Sequence, residues 1–311
     1  MQKVIETARL KAARFCRVDL HMHSPLSHDW KNDATDQYTP IPHLGKTTIQ
    51  SDIKEAQLAA YLDKLKQSNI HVAAITDHMK YSFGIMLSAF ARKQQAKILI
   101  LPGIELNVKL KVPLIDQYRI HVLAIFPPDI AGSSIERIFP PNFEDEACRC
   151  GKTSVIEIDS VAELVDKIES IDGKAIAAHI YTPNGIRHAY TREAELILEP
   201  LDPSEKEQSY RLVGDSIKNE LFKFHGLQVK ATTDPVHFKD EVGEVSIPLI
   251  VASDSHHVSS FGVENSLTYI KLGELNYKSF CDAMRFPDTR IRFKSNLPTI
   301  RPPRIRGIRI M

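Results

Sequence analysis

Cysteine is scarce in this chain, with four among 311 residues, and that is too few for a disulfide framework. Cys148 and Cys150 form a lone C-x-C pair. It reads as reduced thiols of a cytosolic protein before it reads as a metal knuckle. Long apolar runs are absent as well. No stretch of about 18 apolar residues occurs, so nothing is expected to span a membrane. The opening MQKVIETARLKAARF patterns as an amphipathic helix and has neither the apolar core nor the small-residue cleavage site of a secretory signal. The expected location is cytoplasmic. Internal repeats and low-complexity segments are missing too, so no repeat architecture is expected.

What is present is enough to build a sizeable core: 43% of the residues are hydrophobic, and one barrel-type domain of this length is ordinary. The net charge is +1 but unevenly placed. From Arg285 onward there are eight Lys/Arg (Arg285, Arg290, Arg292, Lys294, Arg301, Arg304, Arg306 and Arg309) against one acid, Asp288. A basic end of this kind suits nucleic acid, another domain or a partner subunit, or is a solvated terminus.

Short apolar runs alternate with helical patterns, which points to a mostly parallel sheet with crossover helices. The expected strands are Arg17–His23, Val72–Thr76, Ile98–Ile104, Arg119–Phe126, Lys174–His179, Gln228–Thr232 and Ile247–Ser253. Expected helices are Ser51–Ser68, Ser160–Ile171, Glu205–Phe224 and Tyr277–Arg285, with Ser160 and Glu163 at capping-box spacing. Seven strands suggest a distorted α/β barrel of seven strand–helix units, with an open doubly wound sheet as the alternative. Pro127–Ser154 and Tyr181–Glu205 read as long connections, a length at which loops are usually functional. The expected layout is an N-terminal helix over 1–16, a barrel over 17–295 and a basic Pro/Arg-rich tail over 296–311.

The ionisable residues cluster at strand ends. Between Asp19 and Asp29 lie His21, His23 and His28. Strand alternation puts Asp19, His21 and His23 on one face and Val18, Leu20 and Met22 on the other. A lone H-x-H is weak evidence, but the pattern repeats. Thr76-Asp77-His78 ends one strand, Glu105 follows another, His121 lies among aliphatic residues, His179 follows AIAA, and Asp254 and His256 close IPLIVASDSH. Barrels build their sites at the carboxyl ends of their strands. So many imidazoles and carboxylates packed together repel or shift their pKa values unless a cation joins them. The mix suits zinc, iron or manganese better than calcium or magnesium.

These motifs, in this order, resemble the polymerase and histidinol phosphatase (PHP) domain family: His21-Met22-His23 with Ser27-His28-Asp29, Thr76-Asp77-His78, Glu105 with His121 and His179, and Ser253-Asp254-Ser255-His256. The resemblance covers nearly the whole chain and implies a seven-unit TIM-like barrel with up to three divalent metals at its carboxyl end. It implies a first set of His21, His23, Glu105 and Asp254. The second is Glu105, His121 and His179, with Glu105 bridging. The third is His78 and His256 with His28 or Asp29, His28 being favoured. Asp77, Glu105 and His256 are the expected catalytic residues, with Asp77, and Asp19 beside it, expected behind the ligands or handling protons. The implied activity is metal-dependent phosphoesterase chemistry, hydrolysis by a metal-activated water without a serine or cysteine nucleophile. Arg187, His188, Lys80 and His257 lie beside the motifs as candidates for substrate phosphate. His43, His71, His225 and His237 have no motif context.

The end of the chain, TYIKLGELNYKSFCDAMRFPDTRIRF and then PPRIRGIRI, resembles more weakly the join between such a domain and an SMC-like or AAA-like ATPase. It departs from that layout because no phosphate-binding glycine loop follows. The resemblance implies a nuclease or phosphodiesterase acting on nucleic acid or nucleotides beside an ATPase partner, in nucleic-acid processing or phage defence. A small-molecule phosphatase and a non-catalytic metal-containing scaffold are the alternatives.

Overall fold

The computed structural model describes residues 13–31, 52–111, 118–139, 144, 155–198, 218–229 and 247–298, with backbone alone for 193–198. Its centre is one ten-stranded sheet. The strands that matter here are β1 (Arg14–Met22), β2 (Val72–Ile75), β3 (Leu99–Leu110), β4 (Ile120–Ile125), β5 (Ile156–Ile158), β6 (Lys174–Ala177), β7 (Gly226–Gln228), β8 (Leu249–Ile250), β9 (Thr268–Leu272) and β10 (Ile291–Arg292). Their order is β10-β9-β1-β2-β3-β4-β6-β7-β8, with β5 paired to β3. The far edge returns to β1. Met22 bridges Ser255, the His23 N–H donates to the Ser255 carbonyl at 2.9 Å, and the Ser253 N–H donates to Asp19 Oδ1 at 3.0 Å. The sheet is thus a nearly closed barrel, and the open doubly wound alternative is excluded.

Two departures from the expected pattern matter for the site. β4 is antiparallel to both β3 and β6, reached by a hairpin rather than a crossover helix. β1, β2, β3, β6, β7 and β8 share one direction. β9, β10 and β5 were not expected from the sequence. β1 also starts at Arg14, inside the segment expected to be helical. The rest of that segment, Cys148 and Cys150, most of the Glu205–Phe224 helix and the tail beyond 298 lie outside the described residues.

The helices flank the sheet. Among the described residues the longer ones are α1 (Glu55–Gln67), α2 (Ser82–Lys93), α3 (Gly132–Ile138), α4 (Val161–Glu169), α5 (Ile186–Leu198) and α6 (Tyr277–Arg285). α1 buries Leu58, Tyr61, Leu62 and Leu65, a single stripe at helical spacing. α3 and α5 occupy the two stretches expected to be long loops. The Ser160 cap is real, since its side chain accepts from the Glu163 N–H at 3.1 Å. Glu163, however, reaches back to the Asp159 N–H at 2.9 Å rather than to Ser160 itself. Among the described residues no helix is long and apolar enough to cross a membrane.

One apolar cluster fills the barrel: Val18, Leu20, Val72, Ala74, Leu101, Leu123, Ile125, Ile176 and Ile250 are among its members. The other clusters lie outside, between sheet and helices. Met22 belongs to an outer one, with Tyr61, Ile75 and Phe83. Val18 and Leu20 face inward while Met22 faces outward, so β1 does not keep the simple alternation expected. Its register with β2 shifts between Asp19 and Met22. The bulge reverses the faces, and His21 and His23 turn inward above the apolar plug.

Candidate metal centre

The bulge in β1 takes the His21 N–H out of the regular ladder, and Asp19 supplies the missing acceptor: its Oδ1 is 3.3 Å from that nitrogen. The same oxygen accepts from Ser253 across the closing seam. Asp19 thus holds the backbone behind His21 rather than its ring. Burial raises its carboxyl to about 6 against the hydrogen bonds from Ser253 and His21.

β3 continues beyond the end of β2, which pairs only as far as Ile75 with Pro102. This overhang lifts Glu105 above the apolar plug, where it is 1% exposed. The chain after β2 clamps it, with the Glu105 N–H donating to Asp77 and the Met79 N–H donating to Glu105. His121 is near the amino end of β4. Because β4 is antiparallel, that end lies beside the carboxyl ends of its neighbours, and the β3–β4 register sets His121 diagonally from Glu105. His179 and Asp254 have φ values of 26° and 51°, a region side-chain-bearing residues rarely adopt. At His179 this reverses strand parity. Ala178 belongs to the barrel interior and Ile180 to the outer layer, and the ring between them reaches Glu105.

Glu105 is the hub. Its Oε2 lies 3.0 Å from His21 Nε2, 3.3 Å from His23 Nε2 and 3.1 Å from His78 Nδ1. Its Oε1 lies 2.7 Å from His121 Nδ1 and 3.2 Å from His179 Nε2. Asp254 Oδ1 is 3.3 Å from the Nε2 of both His21 and His23. A second carboxylate, Asp29, places Oδ2 3.2 Å from His78 Nε2 and 2.8 Å from His256 Nε2. Three overlapping groups have ligand atoms mutually within 4.8 Å: His21, His23, Glu105 and Asp254; His78, Glu105 and His121; and His23, Asp29, His78 and His256.

Of the adjacent pair His28 and Asp29, it is Asp29 that the structure brings between His78 and His256. His28, the favoured candidate, is exposed, its ring centroid 5.0 Å from that of His78. Asp77 stays out of the cluster. Its two oxygens accept from the Ser24 N–H and the Ser24 hydroxyl, both at 2.6 Å, pinning the loop that carries His23 and Asp29. In this structure Asp77 acts as that clamp.

The groups behind the ligands fix which nitrogen faces inward. Asp29 holds its carboxyl well below the usual range, against burial, through His256 and His78. As an ionised acceptor it receives a hydrogen bond from the Ser27 hydroxyl at 2.7 Å. Ser27 must then accept from His23 Nδ1 at 3.3 Å, which leaves His23 Nε2 for the cluster. His256 Nδ1 faces the Asp254 carbonyl at 2.9 Å, so its Nε2 likewise turns inward. Gln228, at the end of β7, was missed by sequence reasoning because the expected strand began there instead of ending there.

Do these residues fit a cation? Among the described residues, His21 Nε2, His78 Nδ1 and Glu105 Oε2 are buried and make no hydrogen bond of good geometry, although the two imidazole nitrogens lie 3.0 and 3.1 Å from the Glu105 oxygen. Leaving such atoms unpaired is costly. Each belongs to a group whose ligand atoms lie within 4.8 Å of one another, and the donor set is imidazole and carboxylate. The set fits zinc, manganese or iron.

None of the candidate phosphate contacts belongs to the three groups. Lys80 is buried, and its ammonium donates to the Leu26 carbonyl at 2.7 Å. The Arg187 guanidinium lies over the Tyr181 ring at 4.8 Å. His188 is half-buried on the first turn of α5, and His257 pairs with the Ser259 hydroxyl. His71 and His225 lie at the opposite end, at the starts of β2 and β7. His43 and His237 lie outside the described residues.

No family model matches the sequence, and no curated protein does. Some solved structures are similar at low identity. A lesion-specific endonuclease from Pyrococcus furiosus has a TM-score of 0.47 at 16% identity, over 87% of this chain. The chain spans 56% of that endonuclease's length. An amidohydrolase from Chromobacterium violaceum, solved with sulfate and no metal, has a TM-score of 0.42 at 14% identity, over 86% of this chain and 96% of its own. A proposed metal-dependent phosphoesterase from Bifidobacterium adolescentis has a TM-score of 0.39 at 13%, over 80% and 90%. Likeness at this level carries no functional weight, and the function is read from the cluster.

Proposed function

We propose that the chain is a metal-dependent phosphoesterase that hydrolyses phosphodiesters of nucleic acid or nucleotides. The observation that carries this is the gathering of imidazole and carboxylate ligand atoms in three overlapping groups around the buried Glu105 carboxylate and Asp29. The residues that would hold the cations are His21, His23, Glu105 and Asp254; Glu105, His121 and His179, beside His78; and Asp29, His78 and His256. Bound there, divalent cations supply Lewis acidity towards phosphoryl oxygens and make water acidic enough to attack.

The protein's own part is positional. Glu105 offers one oxygen to each of two adjacent groups and so fixes their spacing. Ser27 and the Asp254 carbonyl hold His23 and His256 in the ligating tautomer. Asp77 and Ser24 keep the loop bearing Asp29 in place. Lys80, near Asp77 and His28, would have to leave the Leu26 carbonyl to reach a substrate phosphate.

Substrate class draws its support from the other end of the sheet path. β9 is antiparallel to β1, and β10 is antiparallel to β9. β10 therefore runs with β1, towards the end that holds the cluster. The sequence that follows carries Arg301, Arg304, Arg306 and Arg309, a basic stretch of the kind that binds phosphate backbones with steep salt dependence. An ATPase partner remains part of the proposal on the resemblance of that stretch alone.

The test is metal analysis of the purified chain together with a panel of phosphomonoesters, chromogenic diesters and short oligonucleotides, with added Mn²⁺ or Zn²⁺. Metal-dependent diester turnover supports the reading. A preference for monoesters would favour a small-molecule phosphatase, and full metal occupancy without turnover would favour a scaffold.

A further inference from the structure

Gln228 is 4% exposed at the carboxyl end of β7, outside every ligand set the sequence implies. Its side-chain oxygen meets two donors. Oε1 lies 3.2 Å from the backbone nitrogen of His179 and 2.9 Å from Nδ1 of His21. A backbone N–H only donates, so the amide atom facing it is the oxygen, and this fixes the side chain's orientation. An oxygen there accepts, so Nδ1 of His21 carries the proton it donates. Nε2, 3.0 Å from Glu105 and 3.3 Å from Asp254, is left as the nitrogen that can give its lone pair to a cation. The same oxygen restrains His179 in its φ of 26°, the conformation that swings its ring to Glu105.

We infer that Gln228 is a positioning residue of the metal centre: one acceptor oxygen that selects the ligating tautomer of His21 and holds the unfavourable backbone of His179. Because those two residues serve different metal positions, a single side chain sets affinity at both. The inference rests on the metal reading above and adds to it a determinant that touches no cation.

The full chain is compared with Gln228→Met, Gln228→Asn and Gln228→Glu, using Zn²⁺ in competition with a chromogenic chelator and the visible absorption of bound Co²⁺. Methionine matches the length and removes the acceptor. Gln228→Met is expected to fold and to bind Zn²⁺ about 10- to 100-fold more weakly, at two equivalents rather than one, with altered Co²⁺ bands. Gln228→Asn withdraws the oxygen by one methylene and shifts affinity in the same direction, which keeps the test open if Gln228→Met does not fold. Gln228→Glu retains an acceptor and holds affinity within roughly threefold. Wild-type affinity in Gln228→Met or Gln228→Asn, or an equal loss in Gln228→Glu, overturns the inference while leaving the metal reading intact. A wild-type chain that takes up neither Zn²⁺ nor Co²⁺ overturns both.

Discussion

Glu105 Oε2 and His21 Nε2 are 3.0 Å apart and fully buried. A carboxylate oxygen and an imidazole nitrogen held this close can share a proton, or a metal ion in its place. The other Glu105 oxygen faces His121 and His179. Glu105→Ala therefore removes a shared ligand, and two metal equivalents are expected to leave together, with diester turnover below about 1% of wild type. Mass-spectrometric metal analysis decides the point, since loss of one equivalent refutes the bridging role.

Asp29 and His28 separate cleanly by substitution. Asp29→Asn weakens the acceptor shared by His78 and His256 and is expected to cost one metal equivalent. His28→Ala removes an exposed ring and leaves occupancy unchanged. The reverse result in the same metal analysis would restore His28 to the third group.

Much of the site was legible in the sequence because ligand chemistry is local. Six apolar runs, five ending in an acid or a histidine and one carrying His121 among aliphatic residues, pointed to the hub Glu105 and the partners His21, His23, His78, His121, His179, Asp254 and His256. What could not be read was backbone parity. Simple alternation put Met22 with Val18 and Leu20, whereas the bulge sends Met22 outward. His121 lies near the start of its strand and joins the site only because β4 runs backwards, which depends on a hairpin that no residue pattern announced. The barrel was inferred from a strand count, but its closure rests on Asp19 and Ser253, which are far apart in sequence. Gln228 was hidden by a boundary error of a few residues.

Asp77 distinguishes a clamp from a proton carrier. Both its oxygens are used on Ser24. In Asp77→Asn the amide oxygen can still accept from the Ser24 N–H while the amide nitrogen donates to the hydroxyl. Metal content is expected to stay full and stability to change by less than about 1 kcal/mol. Asp77→Ala leaves the buried Ser24 donor unsatisfied and is expected to cost roughly 1–3 kcal/mol in denaturant unfolding. Turnover abolished in Asp77→Asn at full occupancy would instead make Asp77 a catalytic acid or base.

Protons and metal compete for the same nitrogens. Burial opposes charge on His21, but Glu105 and Asp254 outweigh it and raise its pKa to about 9. Burial likewise opposes charge on His23, and the same two carboxylates raise it to about 10. Both rings are therefore protonated near pH 8 when no cation is bound, and a cation must displace those protons. The sign follows: affinity rises with pH until the values of about 9 and 10 are passed, and weakens as pH falls. Calorimetric titration with Zn²⁺ at about pH 8, in two buffers of different ionisation enthalpy, is expected to report release of about two protons. Binding without net release would mean that His21 and His23 are already neutral, and that the two carboxylates do not hold protons on these rings.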